Sequence, residues 1–176
     1  MGKFLTAHSR FEQLNIPEKW KLIDNQLYKD DDGIIYLCPR NYITDGYTIP
    51  SWLTIVGGSK MKYDTRASSQ HDYECSYHKC IITNIDEDKL RSMGFLRTSN
   101  GINVCDNIPL EFLTIKKTSF IETNKRFMRM LKSVNNIPKW RAKMMYQAVN
   151  LNMSWLWTQN ELDENKIYEV DYGLLK

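Results

Sequence analysis

The sequence predicts one small α+β domain, with an N-terminal β-hairpin or sheet packed on a C-terminal helical bundle. Two patterns and the length carry this prediction. Short apolar segments flank Asp32-Gly33, and a strong helical period begins after residue 120. A chain of 176 residues can bury one sizeable core and is too short for two ordinary domains. We therefore treat residues 1–176 as a single domain.

The predicted sheet begins with a hairpin. Apolar and polar residues alternate loosely over residues 20–27, and residues 33–38 form a short apolar run that ends at Pro39. Asp-Gly between two such runs is a strong turn signal. Because glycine and proline recur over residues 39–62, we expect an irregular loop there, with one short helical turn at residues 51–53.

A helix is predicted over residues 65–80, which contain neither glycine nor proline. Ala67, His71, Cys75 and His78 recur at the three- and four-residue intervals of one helix face. His71 is therefore expected to face inward.

The region that follows, residues 81–118, gives weaker signals. They are a helix start at residues 86–90 and a turn at residues 99–101.

Two helices joined by a short turn are predicted near the C-terminus, and they should pack as an antiparallel pair. Asn124 shares its buried stripe with Ile121, Phe127, Met128, Leu131 and Val134. The opposite side of that helix is expected to carry Lys125, Arg126, Arg129 and Lys132. The second helix begins at Pro138, which suits a first helical turn.

Composition excludes several classes of protein. No run of eighteen apolar residues occurs, so no membrane span is expected. The N-terminal residues lack the apolar segment of a secretion signal, which makes the cytoplasm the expected compartment and reduced thiols the expected state of the four cysteines. A net charge of +3 does not indicate a nucleic-acid partner.

Two polar stretches carry the chemistry, Thr44-Asp45-Gly46-Tyr47-Thr48-Ile49-Pro50 and Gln70-His71-Asp72-Tyr73. A carboxylate and an imidazole that meet can bind a metal or move a proton. With the hairpin before them and the helix pair after them, these stretches give the chain a pattern that resembles a small protein family found mostly in tailed bacteriophages and prophages. That family is known only as one of unknown function, and the resemblance covers about residues 18–157.

The resemblance implies site residues by position. Members have a loop Thr-Asp-x-x-Ser-Ile-Pro and a helix with His-Asp-x-Leu-Tyr, so Asp45, His71 and Asp72 match, and Thr48 keeps the hydroxyl of the usual Ser. Asn124 stands where the family has an Asp, and an amide is a poorer proton acceptor and a poorer ligand for a hard cation. Compared with typical members, residues 81–118 look like an insertion, and we expect residues 158–176 to form an ordered tail.

Two interpretations of this cluster stay open. In one, Asp45, His71 and Asp72 surround a divalent metal or a water, with Thr48 and Asn124 as polar contacts, as in metal-dependent or general-base hydrolysis of cell wall or another host polymer. In the other, the same residues form a buried polar clasp that pins loop to helix, and no cofactor is needed. Buried polar networks are commoner than active sites, which favours the clasp.

The expected function is that of a virion-associated accessory or structural protein of a tailed phage, present in the host cytoplasm during assembly and then in the virion. Its partners would be other virion proteins, because the aromatic excess favours a protein interface that includes Trp140, Trp155 and Trp157. An early protein that binds a host factor is a third possibility. A zinc site at Cys75, His78 and Cys80 is disfavoured by their spacing.

Overall fold

The structure is a computed structural model, and it describes residues 2–7, 10–17, 19–44, 65–134, 137–152 and 162–169. The described strands are β1 Lys3–Phe4, β2 Phe11–Gln13, β3 Trp20–Leu22, β4 Gln26–Lys29, β5 Ile35–Cys38, β6 Ile43–Thr44, β7 Lys79–Thr83, β8 Leu96–Ser99, β9 Ile102–Cys105 and β10 Leu113–Lys117. The described helices are α1 Arg66–Tyr77, α2 Glu87–Ser92, α3 Phe120–Ser133 and α4 Lys139–Asn152, with short 3-10 turns at Leu110–Phe112 and Glu164–Lys166.

The predicted α+β class is confirmed. Five strands form the main sheet in the order β1-β4-β5-β7-β10, and each neighbouring pair is antiparallel. The predicted hairpin is β4–β5, although its first strand begins at Gln26 and residues 20–22 form β3 in another sheet. Gly33 in the hairpin turn has a φ of 83°, a conformation that glycine adopts without strain. The small strands β2, β3 and β6 form a second sheet, and β8 and β9 form a third.

The main sheet also takes strands from the middle of the chain. β7 pairs with β5 and β10, so both ends of residues 81–118 belong to the main sheet. Between them, α2 begins as expected near Asp86, whose side chain accepts a hydrogen bond from the Lys89 N–H. The predicted turn at residues 99–101 connects β8 to β9.

Both faces of the main sheet are covered. Tyr28, Tyr36 and Ile82 belong to a core cluster shared with α3 and α4. On the alternate positions Leu27, Leu37 and Ile81 join a second cluster, which includes Leu90, Leu96, Ile108 and Ile167. This alternation is the period of two that a strand imposes on its side chains.

Helix α1 carries the predicted inward-facing His71, but it ends earlier than expected. His78 adopts a left-handed φ of 51° and closes the helix, and Cys80 lies in β7. The chain turns here because the β-branched pair Ile81-Ile82 is paired on both sides, with β5 and with β10. His78 therefore does not extend the stripe of Ala67, His71 and Cys75 into the next turn.

The C-terminal helix pair is confirmed. Helix α3 begins with a capping box, in which the Ser119 hydroxyl accepts from the Glu122 N–H and the Glu122 carboxylate accepts from the Ser119 N–H. Asn124 near the start of α3 contacts Asn150 near the end of α4, so the two helices are antiparallel. None of the described helices is long and apolar enough to cross a bilayer.

One part of the predicted basic face is wrong. Arg126 was expected on the solvent side of α3, yet it is only 6% exposed. Its guanidinium pairs with the buried carboxylate of Glu74 and lies 4.1 Å from the centroid of the Tyr36 ring. A buried carboxylate on the facing helix therefore decides the orientation of this side chain.

The described part of the C-terminal segment contacts the rest of the domain. The Tyr168 hydroxyl accepts from the Ile108 N–H at 3.0 Å and donates to the Ile108 carbonyl at 2.9 Å. Ile167 beside it is buried in the second core cluster.

Candidate functional site

The described part of the predicted site is a cluster of His71, Asp72 and Asn124, which we call the His71 cluster. Asp45 and Thr48 lie outside the described residues. Trp155 and Trp157, predicted at an interface, lie outside them as well, whereas Trp140 is described and 54% exposed.

His71 is buried between α1 and α3. The residue is 2% exposed, and its Nε2 lies 2.9 Å from Asn124 Oδ1. The amide group of Asn124 donates from Nδ2 to Asn150 Oδ1 at 2.8 Å, so its oxygen is the atom that faces the imidazole. Nε2 therefore carries a hydrogen and donates to Asn124. The chain His71–Asn124–Asn150 links three helices.

Asp72 connects this cluster to the small sheet. The Thr44 hydroxyl at the end of β6 donates to Asp72 Oδ2 at 2.8 Å, and Asp72 Oδ1 lies 3.7 Å from His71 Nδ1. The latter distance is too long for a hydrogen bond but close enough for attraction between a carboxylate and an imidazolium. Neighbouring residues on a helix point in different directions, so the His71 side chain is buried and the Asp72 side chain is partly exposed.

The charge state of His71 is set by opposing effects. Burial lowers the pKa of His71, but the Cys75 sulfur, which can accept a hydrogen bond from an imidazolium even as a thiol, and the Asp72 carboxylate outweigh burial and hold the pKa well above the ordinary value of 6.5. Burial also raises the pKa of the Cys75 thiol above 9.0, although His71 opposes that change. Cys75 is therefore a thiol at neutral pH, and Asp72 is the anion that favours a protonated His71.

Cys75, which the sequence places on the same helix face as His71, also contacts the imidazole ring. Its sulfur lies 3.5 Å from Nε2 and 3.9 Å from Nδ1, so it sits beside the ring rather than in line with one ring nitrogen. Cysteine, histidine and asparagine together resemble the residue set of a thiol hydrolase. Here the cysteine is 3% exposed with a raised pKa, which is the opposite of an activated nucleophile.

A second polar group missed by sequence reasoning lies one helical turn away. Glu74 is fully buried and accepts hydrogen bonds from Gln70, Thr123 and Arg126. Burial raises the pKa of Glu74, and the Arg126 guanidinium opposes that rise. We call these residues the Glu74 cluster. Its signal in the sequence is the spacing of Glu74 three residues after His71, which places both on the inward side of one helix.

The described residues contain no group of three or more His, Cys, Asp or Glu side chains arranged to hold a metal ion. His71 and Asp72 come together as expected, but the predicted third ligand, Asp45, lies outside the described residues. His71 Nε2 is engaged by the amide oxygen of Asn124, so Nδ1 is the ring atom left to face Asp72.

The raised pKa of His71 predicts a pH dependence of stability. The folded state holds a proton that the unfolded chain releases near pH 6.5, so the stabilisation is complete below pH 6.5 and is lost as the pH rises through the folded-state pKa. Each unit of separation between the two pKa values corresponds to about 1.4 kcal/mol. Urea denaturation from mildly acidic to mildly alkaline pH should show this loss in the wild type. An H71Q variant, which has no titrating ring, should not show it, and identical pH profiles would contradict the assignment.

Comparison with known proteins adds a family but no activity. No curated protein matches the chain, and no solved structure matches it. A family model does match, over residues 20–149, which is most of the chain. This match includes β3 to β10, all of α1 to α3 and the first part of α4. The chain therefore belongs to the family described as Protein of unknown function (DUF1353).

Proposed function

We propose that this protein is a binding component rather than an enzyme, a virion-associated accessory protein of a tailed phage that docks on other virion proteins. The proposal that the protein is not an enzyme is supported by the burial of His71, which is 2% exposed and hydrogen-bonded to Asn124 inside the fold. A general base or metal ligand must reach a substrate or a water. A ring held between helices suits a clasp better.

The contacts of the His71 cluster describe what the clasp would hold. Asp72 contacts Thr44 in β6, and His71 reaches α3 and, through Asn124, α4. The ring centroids of His71 and Phe127 are 4.4 Å apart, which adds apolar packing to the polar links. Three elements distant in sequence from α1 are thus fixed to it or to one another by a few hydrogen bonds.

The phage assignment has a different basis. It is supported by the resemblance of the loop that contains Asp45 and of the His71-Asp72 pair to the phage and prophage pattern. The assignment places the protein in the host cytoplasm during assembly and later in the particle. Western blotting of purified particles of the encoding phage would test it, and absence from particles would favour a protein that binds a host factor.

Replacing His71 with alanine tests the clasp. The change leaves Asn124 without its donor and opens space beside Phe127, so the free energy of unfolding should fall by about 1–3 kcal/mol. Thermal melts and urea denaturation would measure the loss. An S76A variant on the same helix is the control, because Ser76 makes only a part-buried hydroxyl contact with Tyr42.

Elemental analysis of the same samples separates the clasp from a hydrolase. The hydrolase stays the second candidate because a carboxylate and an imidazole do lie side by side in Asp72 and His71, and Asp72 is only partly buried. Stoichiometric metal in the wild type that is lost in H71A, with an unchanged melt, would favour the hydrolase. Metal-free protein with a lowered melt in H71A would favour the clasp.

A further inference from the structure

The solvent side of α4 presents a large aromatic side chain among cations. Trp140 is 54% exposed, and Lys143 lies one turn further on the same side. Lys139 precedes Trp140, and the Arg141 guanidinium lies 5.7 Å from the centroid of the Trp140 ring. We call Lys139, Trp140, Arg141 and Lys143 the Trp140 face.

The C-terminal helix pair carries a large excess of positive charge. Residues 120–152 contain seven Lys or Arg and one acidic residue, Glu122. Arg126 and Arg129 are bound to Glu74 and Asp30. Among the described residues, no ion pair involves Lys139 or Lys143. Because cations in the first turns of a helix are disfavoured by its dipole, the stability of α4 does not explain these two lysines.

Exposed tryptophan and arginine are the residues most enriched at the energetic centres of protein interfaces. We propose that the Trp140 face binds an acidic segment of a protein partner, with the indole in an apolar depression of the partner and Lys139 and Lys143 against its carboxylates. This inference rests on the proposed docking function and adds the surface and the chemistry of the partner.

The charge distribution favours an acidic protein over a nucleic acid. The whole chain has 24 basic and 21 acidic residues, so the chain outside residues 120–152 holds 17 basic and 20 acidic residues. Beyond this small patch, the phosphates of a nucleic acid would face a chain whose remaining residues carry a net negative charge. Steady nucleic-acid binding requires many phosphate contacts along an extended basic surface. A short acidic protein segment needs only the few cations beside Trp140.

The test uses charge reversal with a matched control. K139E/K143E reverses two exposed lysines on the Trp140 face, and K116E/K117E reverses two exposed lysines on β10. Both variants change the net charge equally, and acidic residues at the start of α4 are favourable to the helix, so K139E/K143E should stay folded. The probes are fluorescein-labelled poly-L-glutamate and a DNA duplex of equal charge, followed by fluorescence anisotropy.

We expect K139E/K143E to bind poly-L-glutamate about tenfold more weakly than the wild type, and K116E/K117E to bind it nearly as well as the wild type. Equal affinity of K139E/K143E and wild type would overturn the proposal. Tighter binding of the duplex than of poly-L-glutamate, lost in K139E/K143E, would also overturn it and assign the face to nucleic acid.

Incorporation into phage particles tests the role of Trp140 and separates the proposed virion role from the proposed acidic partner. If the wild type is found in particles, W140A should be incorporated about tenfold less, whereas I102A, which changes an exposed apolar residue on β9, should be incorporated normally. Normal incorporation of W140A would overturn the role of this face. Absence of the wild type from particles would refute the proposed virion role, and the poly-L-glutamate result would still decide the acidic partner.

Discussion

Replacing Arg126 with alanine is expected to lower the free energy of unfolding by about 3–5 kcal/mol. Glu74 is fully buried, and the Arg126 guanidinium is its cationic partner. Without that guanidinium the carboxylate must either stay charged in the protein interior or take up a proton, and both cost free energy. Urea denaturation of the wild type and R126A would measure the loss.

Two further variants make this result specific to the buried pair. K125A removes an exposed cation from the neighbouring position of α3 and should change stability by less than about 0.5 kcal/mol. The double variant E74Q/R126M removes both charges and should lose less stability than R126A alone, because no uncompensated charge remains. A double variant no more stable than R126A would show that packing of the arginine, not its charge, is what matters.

Replacing Phe127 with alanine is expected to cost about 3–5 kcal/mol, comparable with R126A. Phe127 is 2% exposed, and its ring contacts the buried imidazole of His71. The cavity left by the ring would cost packing energy and would also bring water toward His71. Because burial lowers the pKa of His71, water beside the ring should raise that pKa further above 6.5, which NMR titration of His71 in F127A and the wild type would measure.

F127L keeps most of the side-chain volume, so it should be destabilised much less and leave the pKa of His71 nearly unchanged. M128A, at the next and only partly buried position, tests whether any truncation in α3 gives the same effect. If M128A matched F127A in both stability and His71 titration, the contact between Phe127 and His71 would have no special role.

Local patterns in the sequence were enough to predict some elements of the fold. The Asp-Gly turn, the inward position of His71 and the antiparallel pair α3–α4 are each set by residues close in sequence. The place of β7 and β10 in the main sheet could not be predicted in this way. Strand order depends on pairing between distant segments. β-Branched residues such as Ile81 and Ile82 favour a strand but do not specify which strand pairs with it.

The site was predicted in part for the same reason. His71 and Asn124 were both placed on buried stripes, and they meet at hydrogen-bond distance. Arg126 was assigned to solvent because isolated arginines on amphipathic helices usually are exposed. Only the buried Glu74 on the facing helix reverses that expectation, and a contact across two helices leaves no local signal.

The order of β7, α3 and α4 along the chain also has a consequence for folding during synthesis on the ribosome. The hairpin β4–β5 can form early, but its pairing with β7 closes a loop that contains α1. His71 is then in the fold, yet its partner Asn124 and the Asn150 beyond it are synthesised later. A nascent chain that stops after β10 lacks the helix that covers His71 and supplies its hydrogen-bond acceptor. We therefore expect the last helix pair to cover α1 only late in synthesis, and truncations before it should expose α1 to chaperones and proteases.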